Sequence, residues 1–341
     1  MNSRQRVLAA LAGQPIDRRA FIPLLSLYGG RLTGCDLERY YSDPVAYAAG
    51  QATVCVAFSP DVVFAPFAFA LIGAAFGSDL RFFADQPPNV CRPAISSAEQ
   101  AGSLAWPDIS TDARLRFLIG AVRLLVEDSH GEVPVAVPLP GLADLPPLFM
   151  GMDAWMEAIL FDPDKAQAIV TLTSRLVVQL ANQAFAAGAS FIAVPCAFAS
   201  QAVLPRHLVA SFALPALDAA LAQFRGPVVL HHAGETAPAN LDLLACLPNV
   251  VALLVAQRDD LDAARRVIGP DVVLLGGLNG PELDSLKEAD VRRQCQAILR
   301  NRIGDRRFIL CTCGPDVPFA TPPENIRAMR NAVDAAGRIQ E

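Results

Sequence analysis

The chain has 341 residues, 53% of them apolar, with a net charge of −6 and a pI near 5.3. It has the length for one large barrel or two smaller domains. The acidic balance without a Lys/Arg block excludes nucleic acid and anionic membranes as expected partners. No apolar stretch reaches the roughly 18–20 residues a membrane span requires. The N-terminus lacks an apolar core followed by a small-residue cleavage site. Eight cysteines at irregular spacing do not form a disulfide framework, and the expected location is cytoplasmic.

In chain order, short apolar runs alternate with helical patterns. Expected strands are Phe21–Leu27, Asp61–Ala65, Val133–Leu139, Phe191–Pro195, Pro227–His232, Val250–Val255, Val272–Leu278 and Phe308–Thr312. Most are continuous rather than alternating in polarity, as strands covered on both faces should be. Between them, Asp112–Glu127 places Leu115, Leu118, Ile119, Val122, Leu125 and Val126 at the spacing of one helical face. A long helix opens with Asp162 as cap and Pro163 as its first residue, and Gly188 closes it. Thr321 with Glu324 three residues on predicts a capping box for the last helix. Segments 66–110 and 138–151 read as loops. Eight strands alternating with helices predict a single (β/α)8 TIM barrel over 1–341, with an N-terminal helical extension over about 1–20. An open doubly wound sheet is the alternative; it is disfavoured because Tyr28-Gly29-Gly30-Arg31 after the first strand is not a phosphate loop.

In a barrel the C-terminal strand ends carry the chemistry. There stand His231-His232 and Cys311-Thr312-Cys313. Successive histidines on a strand point to opposite sides, whereas Cys311 and Cys313 share one side. Buried cysteines ordinarily serve as small hydrophobes and histidines are often structural. The position of these groups nonetheless makes them candidates for a soft-metal or thiol site. Asp61, Tyr28, Arg31, Cys196, Glu235 and Asn279 also fall at or beyond predicted strand ends, as candidates for binding a polar, anionic or aromatic substrate.

Arg6…Gly13…Asp17-Arg18…Pro23, Ser59-Pro60-Asp61 and Gly188-Ala189 together resemble the uroporphyrinogen decarboxylase superfamily. So do Leu230-His231-x-x-Gly234 and Thr321-Pro322-Pro323-Glu324-Asn325-Ile326, the most specific segments. The pattern is more similar to the corrinoid-dependent methyltransferases of that superfamily, those of methanol-, methylamine- or methoxy-derived methyl groups, than to the decarboxylase. The resemblance implies a methyltransferase that binds zinc through a His-x-Cys and a final Cys. His231 falls on the family His and Cys313 on the final Cys, while Ala233 replaces the middle Cys. Cys311 is then the candidate third ligand, although it lies one strand step, about 6–7 Å, deeper than Cys313. Asp61 falls on the decarboxylase's substrate-binding Asp. With His231 and Cys313 it completes the expected catalytic set. The sequence holds no Asp-x-His-x-x-Gly, so the resemblance implies that the corrinoid is carried by a partner, a corrinoid-binding protein. Its other partner is a small-molecule methyl donor or acceptor. A decarboxylase of a carboxylated small molecule, or a non-catalytic barrel that has lost its zinc site, are the competing readings. Donor, acceptor and oligomeric state are not legible.

Overall fold

The computed structural model describes residues 1–231 and 238–337. Eight parallel strands form one curled sheet: β1 (Phe21–Ile22), β2 (Val63–Phe64), β3 (Val135–Pro138), β4 (Phe191–Pro195), β5 (Val228–His231), β6 (Val250–Leu254), β7 (Val273–Asn279) and β8 (Phe308–Cys313). Their order across the sheet is β1-β8-β7-β6-β5-β4-β3-β2. The first strand therefore pairs with the last, Phe21 opposite Leu310 and Ile22 opposite Cys311. At the free edges, the Asp61 N–H donates to the Phe21 carbonyl at 2.8 Å, joining the approach to β2 with β1.

The strands are apolar throughout because both faces are covered. Ile22, Ala136, Phe191, Ala252, Leu254, Leu275, Ile309, Cys311 and Cys313 share an inner cluster. Alternate residues such as Phe21, Val137, Ile192, Leu230, Leu253, Leu274 and Leu310 face the helices. Val7 and Ala10 of helix α1 (Ser3–Leu11) join the inner cluster, so α1 covers one end of the curled sheet. Within the expected 1–20 extension, only this stretch is helical.

Seven strands lie within a residue or two of their predicted bounds, while β1 stops five residues early. Pro23 has no N–H to continue a ladder, and Leu27 accordingly leads into helix α2 (Tyr28–Thr33). Helix α2 packs closely on helix α3 (Pro44–Phe58): a Cβ at Gly29 would run into the Tyr40 hydroxyl and the backbone of Gly50. Asp112 caps helix α4 (Ala113–Asp128) by accepting the N–H groups of Arg114 and Leu115. Asp162 caps helix α5 (Pro163–Ala186) through Lys165.

The capping box at Thr321 does not form. Helix α6 (Pro323–Ala336) starts after Pro322 without a side-chain cap. The Thr321 carbonyl is instead drawn toward the Tyr28 hydroxyl and Arg31. Segment 66–110 is not only loop, since Asp79–Arg81 and Asn89–Arg92 form an antiparallel hairpin. Short helices at Pro147–Met150 and Met152–Phe161 occupy and follow the end of the second predicted loop. Among the described residues no helix is long and apolar enough to cross a membrane.

Candidate functional site

His231 and Cys313 are the terminal residues of β5 and β8, and the curl of the sheet brings these ends together. The Gly314 N–H donates to His231 Nε2 at 3.3 Å, which makes Nε2 the unprotonated ring nitrogen in this contact. Gly314 is required there for two reasons. Its φ is +81°, a backbone region that L side chains avoid, and a Cβ would lie 3.0 Å from Asn279 Oδ1. Asn279, directly opposite Cys313 in the β7–β8 register, thus flanks the same point, and its Nδ2 donates to Glu282 at 3.1 Å. His231, Cys313, Gly314 and Asn279 form a continuous group, with His231 and Cys313 7% and 1% exposed.

Cys311 shares the inner face with Cys313, as strand alternation predicts. Burial, then the neighbouring Cys313 thiol, hold Cys311 well above the ordinary thiol range. Without a metal it is a thiol at neutral pH; a metal bound there would take it as the thiolate.

Zinc, implied by the family resemblance, was tested against these side chains. Imidazole and thiol are the donor types zinc prefers. Among the described residues, however, no three His, Cys, Asp or Glu are arranged to hold a metal ion. The Nε2 lone pair of His231 faces the Gly314 N–H. The described donors do not fit a zinc ion as they stand. His232, Ala233, Gly234 and Glu235 lie outside the described residues, so the Glu235 expectation has no structural counterpart here.

Asp61 is the main correction. It sits before β2, at the end of the sheet opposite His231, with its side chain fully buried. Oδ1 accepts from Arg6 Nη1 at 2.6 Å and Ser3 Oγ at 2.9 Å. Oδ2 accepts from Arg18 Nη1 at 2.6 Å and the Phe21 N–H at 2.8 Å. Both oxygens are engaged by the protein itself, so this carboxylate fastens α1 beneath the sheet and is not a substrate ligand. Arg6 also holds Asp17, whose carboxyl it keeps far below the usual range.

Tyr28 and Arg31 also make contacts within the protein. The buried Tyr28 hydroxyl donates to the Thr321 carbonyl at 2.6 Å. Arg31 stacks 5.1 Å from the Tyr28 ring centroid and donates to the Phe319 carbonyl at 2.6 Å. The pair latches α2 to the loop after β8. Cys196 follows β4 but packs in the outer cluster, its Sγ against the Val194 carbonyl at 3.4 Å. Burial, then the charge of Asp144, push its thiol far up.

Two carboxyl groups on the same side of the sheet were not singled out from sequence. Asp144, in the turn after β3, accepts the Ala197 N–H at 2.7 Å, yet burial raises it to about 7. Asp316, in the loop after β8, accepts the Leu27 N–H at 2.7 Å. Burial raises it to about 8 against the opposing pull of backbone N–H groups from Leu27, Ser26 and Val317. Its Oδ1 has no well-formed hydrogen bond among the described residues. Acidic residues in Pro-rich loops carry no sequence signal of burial, which arises only from packing. Raised carboxyls near strand C-termini are the kind of group active sites use.

A family model described as uroporphyrinogen decarboxylase (URO-D) matches residues 2–336. A methylated-thiol--coenzyme M methyltransferase of Methanosarcina mazei is 24% identical over 257 residues, covering 72% of this chain and 64% of that protein, just under two thirds of its length. A methylcobamide:CoM methyltransferase, MtaA, of Methanosarcina barkeri is 22% identical over 97% of both chains. Among solved structures, a methyltransferase from Methanosarcina mazei superposes with a TM-score of 0.86 at 19% identity, covering 98% of this chain and 99% of that one. A B12-independent methionine synthase from Shewanella shares the fold at a TM-score of 0.59 and 11% identity, covering 94% and 96%.

Proposed function

Since the chain belongs to the uroporphyrinogen decarboxylase family, we propose that it is a methyltransferase moving a methyl group between a corrinoid, carried by a partner protein, and a small molecule. In this reading residues 1–341 form a single closed (β/α)8 barrel, with α1 covering its N-terminal end. The observation that carries the proposal is the meeting of His231 and Cys313 at the C-terminal strand ends, through the Gly314 N–H. Both curated relatives described above are named as coenzyme M methyltransferases, which supports the same reaction class.

A methyl-corrinoid supplies an electrophilic methyl group whose bonding pair stays with the cobalt. The chain's own residues then bind, orient and shield the acceptor. Burial of His231 and Cys313 excludes water, a competing nucleophile. Nε2 of His231, once released from the Gly314 N–H, is the basic atom placed to take the proton that a thiol or amine acceptor releases as its lone pair bonds to carbon. No step above depends on zinc, which the described His231, Cys311 and Cys313 do not hold as they stand.

The decarboxylase reading loses its principal residue, because Asp61 is engaged at the opposite end of the sheet. Free methylcobalamin tests the proposal, with loss of its methyl–cobalt absorption followed in the presence of small thiol and amine acceptors. His231→Ala and Cys313→Ala should each slow the transfer by roughly 100-fold or more, the usual scale for positioned proton-transfer groups. Wild-type protein that accelerates no transfer to any such acceptor, even with a corrinoid-binding protein supplied, would remove the reading.

A further inference from the structure

Helix α3 carries no charged residue along its whole length. Its outward face is nevertheless open: Val45 is 64% and Val56 86% exposed, and Ala49 and Ala52 are exposed between them. A solvated helix face ordinarily carries charges, as α4 does with Arg116, Arg123 and Glu127 and α6 does with Glu324, Arg327 and Asp334. The four exposed residues of α3 stand at intervals of four, three and four, the 3.5-residue period by which one helix packs along another.

The order Val-Ala-Ala-Val reads the same in both directions. When an identical helix lies antiparallel, centred between Gly50 and Gln51, Val45 meets Val56 of the other copy and Ala49 meets Ala52. The exposed Ser42 and Ser59 then oppose each other at the two ends. Each contact occurs twice, as a two-fold interface requires. The alanines at the centre let the helix axes approach to about 8 Å, the short end of the usual spacing.

The flanking charges obey the same symmetry. A Cβ at Gly120 would lie 3.5 Å from Pro44. At the other end of the pair, burial and then the charge of nearby Asp128 raise the Cys55 thiol to about 11. Helix α4 therefore runs parallel beside α3. Arg123 and Glu127, one and two turns beyond Gly120 on the same face, fall alongside the first and second halves of α3, and both are exposed. The two-fold that aligns the valines also sets Arg123 of each copy against Glu127 of the other.

We infer that α3 is the seam of a homodimer, packed antiparallel on its counterpart in a second copy of this chain and flanked by reciprocal Arg123–Glu127 pairs. An identical surface satisfies both reciprocities at once, whereas a different protein would have to mimic both. A seam about 22 Å long, widened by the neighbouring helices, buries roughly 1,200 Å² in total, the low end of specific interfaces. Helices that connect parallel strands run opposite to them, so the two His231-bearing ends point away from each other. The pairing does not depend on the methyl-transfer reading.

The test is sedimentation velocity of the whole protein from about 1 to 100 μM, the weak end of the range for such interfaces. The wild type should be a dimer at the upper end, and Val56→Glu should stay monomeric throughout with an unchanged circular dichroism spectrum. Arg123→Glu and Glu127→Arg should each weaken dimerisation about tenfold or more, because each sets like charges across the interface twice. The two changes together should restore it. Wild-type protein that is monomeric over the whole range, leaving the face to a different protein or to solvent, overturns the inference. A dimer indifferent to Val56→Glu does so too, as does a double variant that associates no more tightly than the single ones.

Discussion

Replacing Asp61 by alanine separates a structural carboxylate from a catalytic one. Besides a contact from the Ser3 hydroxyl, the fully buried side chain accepts charge-assisted bonds from Arg6 and Arg18 at 2.6 Å each and one backbone bond from Phe21. Charge-assisted bonds contribute roughly 1.5–3 kcal/mol each and a neutral one about 1 kcal/mol, giving about 4–7 kcal/mol before relaxation. Arg6 keeps Asp17 as a partner, and the Arg18 side chain is 13% exposed and is rehydrated in part. The net loss is therefore about 3–5 kcal/mol, the cost of orphaning one side of a buried ion pair. Urea denaturation followed by circular dichroism reads this as a lowered midpoint. Because the pair is buried, 1 M salt should restore little of it. Asp61→Asn keeps an acceptor for the Phe21 N–H and should lose about 1 kcal/mol less. If Asp61→Ala stays within about 1 kcal/mol of the wild type but abolishes methyl transfer, the structural assignment is wrong.

Three further expectations follow from the same geometry. Asp316 and Asp144 titrate near 8 and 7 when folded, against 3.8 as ordinary carboxyls. The folded state thus holds more protons between these values, and stability present below about pH 4 is lost as pH rises toward 7–8, by at most about 1.4 kcal/mol per pH unit per group. Asp316→Asn should flatten that decline in urea midpoints measured from pH 5 to 8, and an unchanged slope would show that the carboxyl is ionised throughout. Gly277→Ala places a Cβ against the Cys311 carbonyl in the β7–β8 pairing; it should cost about 3 kcal/mol or more or yield no soluble protein, and wild-type stability would contradict the register. Elemental analysis checks zinc: stoichiometric metal, lost in His231→Ala and Cys313→Ala, would support assistance by those residues, whereas retention in both variants would exclude them as ligands.

The strand runs and the edge that carries His231 and Cys313 were legible because they depend on local patterns: apolar continuity, period-two alternation and turn residues. Asp61 was misplaced because its partners Arg6 and Arg18 lie 55 and 43 residues away, and nothing in the local sequence announces that cluster. The capping box failed for the same reason, since the Thr321 carbonyl is held by Tyr28, 293 residues distant. Asp316 and Asp144 were invisible because their raised proton affinity comes from enclosure by segments that meet only in the fold. Local signals placed His231 and Cys313 at strand ends, while long-range contacts decided which polar groups the protein itself engages.

The pairing of β1 with β8 has a consequence for how the chain is made. Phe21 and Ile22 find their ladder partners in Leu310 and Cys311, and the Leu24 N–H finds the Thr312 hydroxyl 288 residues later. During synthesis the first strand emerges long before its neighbour exists, and so large a sequence separation slows nucleation of that contact. Until the last strand arrives, β1 leaves a row of backbone donors and acceptors open to other chains. Ribosome-stalled chains ending before residue 308 should therefore be the aggregation-prone species, and the protein should depend on holdase protection late in synthesis rather than early.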